Sequence, residues 1–299
     1  MKKEAKSCSS CDKSDCSAQS RKPDETEEQF LERQALLKRM CEVQNKILVL
    51  SGKGGVGKST VAVNMAISLA MERKKVGLLD VDVHGPSIPT LLGLRDHRPA
   101  VVDGVMYPAM FEDKLKVMSL GFFLPRRDDA VIWRGPLKMS LIKQFLRDVE
   151  WGKLDYLVID CPPGTGDEPL SVVQLIEDAT GAVVVTTPQE VALADVRKSI
   201  TFCRTVGLPV LGVIENMSGF VCPHCGGRSE IFKSGGGEKM AHDMGVPFLG
   251  KIPIDPQIVM ASDNGTPYCR TYAETETARA FAEILKPILK QCEEKRIAV

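Results

Sequence analysis

The chain has 299 residues, 43% of them apolar, enough to bury the core of one large α/β domain or two small ones. Thirty-nine basic residues against 39 acidic ones give a formal charge of +0, which argues against a general nucleic-acid binder. No run of about 18 apolar residues occurs, so no membrane-spanning helix is expected and a cytoplasmic protein is.

Residues 1–22 are rich in Ser, Lys and Asp with almost no large apolar side chain, which predicts a disordered tail unless a metal orders it. Within it Cys8, Cys11 and Cys16 stand as C-x-x-C-x4-C, a spacing suited to soft metal ligation. Ten cysteines in a cytosolic chain point to metal binding more than to disulphides. Residues 23–45 read as a helix, with Phe30, Leu36, Leu37, Met40 and Val43 on an imperfect apolar stripe. Residues 46–299 read as one domain. Short apolar runs (KILVLS, KVGLLD, LDYLVID, GAVVVTT, PVLGVI) alternate with helical patterns, as strands buried on both faces and joined by βαβ crossovers require. The predicted fold class is α/β, a doubly wound and mainly parallel sheet flanked by helices. The Asp-Gly pair in VVDGVMYPA, near residue 101, predicts a hairpin insertion.

The stretch SGKGGVGKST fits G-x-x-x-x-G-K-S/T from Gly52 to Ser59, between a strand at 46–51 and a helix at 59–73. Gly52, Lys53, Gly54, Gly55, Val56, Gly57, Lys58, Ser59 and Thr60 therefore form a candidate ATP site. Backbone N–H groups close around the phosphates, Lys58 reaches the β/γ oxygens, and the Ser59 hydroxyl ligates Mg2+. Asp80 and Asp82 follow one apolar run and Asp160 ends another, where sheets of this class bind ligands. A helix cap or turn is the plainer use of one such Asp; three at strand ends favour Asp82 and Asp160 as site residues. VCPHCGG then places Cys222 and Cys225 on a loop. Zinc or an iron–sulphur cluster takes four protein ligands, and this loop supplies two. A zinc site completed by His224 or His242 of the same chain is one solution, a second copy of the loop another. Cys41, Cys161, Cys203, Cys269 and Cys292 read as packing or incidental thiols. The C-terminal stretch 277–295 is amphipathic through Phe281, Ile284, Leu285, Ile288 and Leu289. Pro287 and the Glu293–Glu294 pair favour a helix packed on its own domain over one lying on a membrane.

Lys53 is a lysine beyond the one the phosphates need, and GKGGVGK resembles the deviant Walker A loop of the MinD/ParA and nitrogenase-iron-protein group of ATPases. The fuller order GKGGVGKST, DVDVHGPS, WRGP, DCPPGTGDE, TTPQEVAL, ENMS and CPHCG, over roughly residues 40 to 265, resembles the Mrp/ApbC family of P-loop iron–sulphur cluster carriers. That resemblance implies a homodimer in which Lys53 reaches the partner's nucleotide, much as an arginine finger does. It implies that Asp82 positions the attacking water, that Asp80 lies nearer the magnesium, and that Asp160 holds Mg2+ through water. The Pro-Pro-Gly-Thr-Gly loop after Asp160 would sense the γ-phosphate. Asn216 would read the adenine edge, for which a turn asparagine is the plainer alternative, and Pro253 and Asp255 would flank the base. Cys222 and Cys225 of two copies would hold one 4Fe-4S cluster on the two-fold axis, for delivery to apo iron–sulphur proteins, with slow ATP hydrolysis changing the grip. Eukaryotic-type members carry four N-terminal cysteines; here Met1 stands seven residues before Cys8, which leaves three for a second cluster. The rival readings are a MinD/ParA-like spatial regulator with structural zinc at CPHCG, and a phosphotransferase or amidotransferase-type ATPase.

Overall fold

A computed structural model of the protein describes residues 17–82, 85–124, 135–222 and 224–297. Helix α1 (Glu27–Met40) leads into β1 (Val43–Ser51), α2 (Lys58–Met71), β2 (Val76–Asp80) and the short α3 (Ile88–Leu91). Then come β3 (Val101–Val102), β4 (Val105–Met106), β5 (Ala109–Phe111), β6 (Leu115–Ser119), α4 (Gly135–Asp148), β7 (Leu154–Asp160) and α5 (Asp167–Leu175). The remainder is β8 (Gly181–Thr186), α6 (Glu190–Thr205), β9 (Val210–Glu215), β10 (Phe220–Val221), β11 (Arg228–Ser229), α7 (Gly236–Asp243) and β12 (Phe248–Lys251). Helices α8 (Pro256–Asp263), α9 (Tyr268–Thr271) and α10 (Glu276–Ile297) close the chain.

An eight-stranded sheet runs β12-β9-β8-β1-β7-β2-β6-β5. Every neighbouring pair is parallel except β5 with β6. The run Ile47–Val49 in β1 is fully buried because helices cover both faces, which is why these strands read as unbroken apolar runs. Strand order reverses at β1: the chain steps over β7 to β2, then later returns from β7 to β8. Right-handed crossovers in the two directions put α2 on one face and α4 to α7 on the other, and α2 accordingly packs with α9 and α10 while α4 meets α5 and α6 meets α7. The predicted doubly wound, mainly parallel α/β fold is the observed one.

Boundaries differ in instructive ways. Helix α1 begins at Glu27, later than Pro23, because Thr26 caps it: the Thr26 hydroxyl accepts from Gln29 N and the Gln29 side chain accepts from Thr26 N. Ser17–Gln19 form a single helical turn with Ala18 buried, and Gln34 and Arg33 donate to the Ala18 and Ser20 carbonyls. Order thus reaches back into the stretch expected to be disordered; Cys8, Cys11 and Cys16 lie outside the described residues. Strand β1 starts at Val43 because Lys46 is itself a buried strand residue, its ammonium held by Asp178 at 2.7 Å and the Val43 carbonyl at 3.0 Å. The expected hairpin is β3–β4, with Asp103 and Gly104 both at positive φ (50° and 78°), the geometry a two-residue Asp-Gly turn needs.

Helix α10 packs on α2, α9, β9 and β12, burying Phe281, Ile284, Leu285, Ile288 and Cys292. Pro287 is accommodated inside it, and no helix among the described residues is long and apolar enough to cross a membrane. Because Phe281 is 3% exposed, Phe281→Ala is expected to lower unfolding stability by about 3–5 kcal/mol, read as a urea midpoint shift at constant slope.

Candidate functional site

The polar groups of interest gather at the C-terminal end of the sheet. Strand β1 ends at Ser51, the loop 52–57 turns over, and Lys58 opens α2, so the free amides of that helix face back toward the strand ends. Two glycines make the turn possible. A side chain on Gly52 would lie 2.4 Å from the Asp195 backbone, and one on Gly57, at φ 80°, would lie 2.3 Å from Asn216 Nδ2. Val56 is 1% exposed and anchors the loop in the core, whereas Gly54 and Gly55 face outward.

Lys58 is 6% exposed, its Nζ 2.5 Å from Asp160 Oδ1, 3.8 Å from Asp82 Oδ2 and 3.5 Å from Ser59 Oγ. Burial opposes its charge, but Asp160, then Asp82 and Asp80, hold its pKa above the ordinary lysine value. It is an ammonium. Asp160 Oδ2 is buried without a hydrogen-bond partner among the described residues. An orphaned carboxylate oxygen beside Ser59 at a helix N-terminus fits the shell of a hydrated Mg2+.

Asp80 stands beside Asp160 across the β2–β7 register. Its Oδ1 accepts from Asp82 N at 3.1 Å and its Oδ2 from Ser119 Oγ at 2.9 Å and Ile88 N at 3.4 Å. Burial and the neighbouring Asp160 charge push its carboxyl up to about 8. Asp80 therefore organises the backbone that presents Asp82. Ser119 had no motif to flag it; its only signal was a polar residue closing the apolar run LKVMS. The loop after Asp160 is fastened to the same place, Gly164 N donating to the Ser51 carbonyl at 2.8 Å. Val83, His84, Trp133 and Arg134 of the recognised motifs lie outside the described residues.

Asn216, 7% exposed, donates from Nδ2 to the Val56 carbonyl at 2.8 Å, so it braces the phosphate loop. Asp255 caps α8 through Gln257 N at 2.9 Å and accepts from Tyr268 Oη at 2.5 Å and Thr277 Oγ1 at 2.9 Å. Its carboxylate is thereby held in place by the protein's own groups. Pro253 and Asp255 line a cavity of about 290 Å³ together with Val221 and Thr277. Lys53 is half-buried; its carbonyl accepts from Ser51 Oγ at 3.0 Å, and its ammonium makes no bond to the described residues.

The cysteine loop is the turn of the β10–β11 hairpin, tightened by Cys222 N donating to Gly227 O and Gly226 N donating to Cys222 O, both at 2.9 Å. Phe220 bridges to Ile254, seating the hairpin at the same sheet end as the phosphate loop. N–H groups of Cys225 and His224, with the Cys225 thiol, lower the Cys222 thiol below the ordinary cysteine value, favouring the thiolate that ligates metal. Among the described residues no group of three or more His, Cys, Asp or Glu is placed to hold a metal ion, so neither His224 nor His242 completes a site with the pair. The other described cysteines are buried, apart from Cys41.

Three comparisons bear on this arrangement. Residues 42–289 match the ParA family, described as NUBPL iron-transfer P-loop NTPase. The iron–sulfur cluster carrier protein of Methanocaldococcus jannaschii is 49% identical over 257 residues, 86% of this chain and 88% of that one. The protein named cytosolic Fe-S cluster assembly factor NUBP2 homolog in Trichoplax adhaerens is 52% identical over 254 residues, 83% of this chain and 95% of that one. A solved nucleotide-binding protein from Archaeoglobus fulgidus, in complex with ADP, superposes with a TM-score of 0.72 at 41% identity, covering 83% of this chain and 96% of that one. With the phosphate loop, the strand-end aspartates and the thiol hairpin in place, the chain belongs to the ParA family of NUBPL-type iron-transfer P-loop NTPases.

Proposed function

We propose that the protein is an ATP-dependent iron–sulphur cluster carrier, which binds a 4Fe-4S cluster between two copies of itself and transfers it to apo-proteins. The observation that carries this is the hairpin: two thiols at the nucleotide end of the sheet, with no third ligand beside them among the described residues. A cluster takes four thiolates, and an isologous dimer turns two into four. A structural zinc clip would need the same missing ligands within one chain. The names of the relatives support the carrier reading.

In this reading ATP lies on the loop 52–60, with Lys58 on the β/γ oxygens. Mg2+, when bound, neutralises phosphate charge, and Ser59 and the free oxygen of Asp160 are the groups that would hold it. Asp82, aligned by Asp80, orients the attacking water. Asn216, which also braces the loop through the Val56 carbonyl, reads the adenine edge, and Pro253 and Asp255 flank the base. Lys53 of each copy serves its partner's site, and hydrolysis is slow and conformational in purpose. Cys8, Cys11 and Cys16 are candidate ligands of a second cluster. The setting is cytosolic, with neither membrane nor nucleic acid as partner, in keeping with the buried apolar face of α10 and the balanced charge.

The test replaces Cys8, Cys11 and Cys16 with Ser and reconstitutes the protein without oxygen. About two irons per chain on a dimer is the expected result, since one four-iron cluster serves two chains. About four irons on a monomer, or stoichiometric zinc after anaerobic preparation, refutes the shared cluster.

The trans role of Lys53 makes its own prediction. Lys53→Ala should lose at least about 100-fold in ATP turnover, as removal of a transition-state donor does, with far less change in ATP affinity. Asp82→Ala should likewise bind ATP and hydrolyse it poorly. Mixed together, half the dimers are heterodimers, and in each the Lys53→Ala chain keeps Asp82 and receives an intact Lys53. Turnover should recover to about a quarter of wild type by that statistical count. No recovery on mixing would place Lys53 in its own chain's site.

A further inference from the structure

Glu215, the last residue of β9, is fully buried, yet the partners of its carboxylate are uncharged. Oε1 accepts from Ser218 Oγ at 2.5 Å and from Gly235 N at 2.8 Å; Oε2 accepts from Gly237 N at 2.5 Å. Ser218 Oγ also lies 2.9 Å from Ser234 Oγ. Ser218 and Ser234–Gly237 are the two feet of the segment that carries Cys222 and Cys225. Both feet therefore meet on one carboxylate. Glycines allow the approach: a side chain on Gly237 would sit 3.0 Å from Glu215 Oε2, and one on Gly236 would sit 2.5 Å from the Pro188 carbonyl.

The next residue reaches the nucleotide loop. Asn216 N donates to the Thr186 carbonyl at 2.7 Å, and its side chain donates to the Val56 carbonyl. Met217 follows at φ 56°, a left-handed conformation that costs a non-glycine residue on the order of 1 kcal/mol or more and is kept only where its surroundings impose it. Ser218 N is then pinned to the Ile252 carbonyl at 2.9 Å. Four consecutive residues thus connect the Val56 carbonyl to both feet of the hairpin through directional bonds. Burying a carboxylate without a cation is costly, and three aimed donors are what make it tolerable.

Resting on the carrier reading above, we infer that Glu215 is a positioning residue that couples nucleotide binding at the phosphate loop to the hold of the cysteine hairpin on its metal. A shift of the Val56 carbonyl as the loop closes on phosphates moves the 215–218 turn, and Glu215 passes that shift to both feet at once. The carboxylate of Glu215 is engaged with Ser218, Gly235 and Gly237 and is not among the groups proposed to hold nucleotide or metal.

The experiment uses the full chain and two readouts. First, hydrogen exchange of residues 219–234 is followed with and without Mg-ADP, in metal-free protein. Second, iron release to a chelator is timed after anaerobic reconstitution, with and without nucleotide. Nucleotide should change both rates in the wild type by at least about fivefold, the lower range of measured site-to-site couplings. Glu215→Gln places an amide N–H against donors that need an acceptor. It should keep ADP affinity and iron content within about twofold of wild type while the nucleotide effect on both rates falls below about 1.5-fold, because coupling and binding are separable free energies. Ser218→Ala should behave alike, and Ser218→Thr, which keeps the hydroxyl, should restore the effect; this pair decides the matter if Glu215→Gln does not fold. A nucleotide effect that survives in both Glu215→Gln and Ser218→Ala, or one absent from the wild type, overturns the inference. Wild-type protein that takes up no iron overturns the carrier reading instead, and the exchange readout then still judges the coupling.

Discussion

Lys58→Ala is expected to abolish ATP binding, with affinity lowered at least about 100-fold by calorimetric titration, because the lost ammonium is the principal side-chain charge on the β/γ oxygens. The structure adds a second effect. Lys58 is also the counter-ion of Asp160, which is itself 0% exposed, so its removal leaves a buried carboxylate unpaired. Breaking one partner out of a buried pair costs about 3–5 kcal/mol, and the melting temperature should fall by several degrees. Lys58→Ala with Asp160→Asn relieves that penalty, so the double variant should regain stability without regaining ATP. ATP affinity within about threefold of wild type in Lys58→Ala, a difference under 1 kcal/mol, would show that loop amides alone hold the phosphates.

Cys222→Ser, made where Cys8, Cys11 and Cys16 are already Ser, should remove the cluster entirely: iron below about a tenth of the parent value, and no brown colour. A hydroxyl is a hard ligand that stays protonated where a thiol ionises, and the N–H groups of Cys225 and His224 favour a thiolate at this position. Loss of one thiolate per chain removes two of four from a shared cluster. Compared in metal-free protein, nucleotide affinity should stay within about twofold of the parent, a few tenths of a kcal/mol, since the hairpin projects beyond Ser218 and its thiols make no contact with the loop 52–60. Iron retained at half the parent level would mean that the hairpin is not the main site.

The pieces legible in the sequence are those whose chemistry is set by near neighbours along the chain. Gly52 to Thr60, the Cys222–Cys225 pair and the Asp103–Gly104 turn each have their geometry fixed within ten residues. Asp160 was legible because an apolar run of strand length delivered it to a sheet end. Ser119 and the Lys46–Asp178 pair were not, because their partners are assigned by strand order and crossover, which local pattern does not state. Glu215 was not, because two of its three donors, Gly235 N and Gly237 N, lie on the far side of the cysteine hairpin. Asp255 likewise has partners that its motif does not show, Tyr268 and Thr277, two contacts that depend on how α9 and α10 return to the sheet. Residue 26 marks a missed local signal, since T-x-x-Q before an apolar stripe is a helix start in its own right.

The place of β1 in the sheet matters for how the chain is made. Of the strands in this sheet it is the first to leave the ribosome, yet it lies between β7 and β8, neither of which exists until residue 154 and beyond. At about 5–20 residues per second, β1 waits roughly 5–20 s for its first neighbour. Through that interval nine residues ending in ILVLS have no sheet to join. Helix α1 waits equally long, because Glu32 meets Lys143 and Arg147, and Arg39 meets Glu150, only once α4 has emerged. The phosphate loop therefore cannot be assembled during synthesis of the half that encodes it. A newborn chain halted before Leu154 leaves β1 without a pairing partner, and the site at the end of β1 becomes competent only after the far half of the protein has been translated.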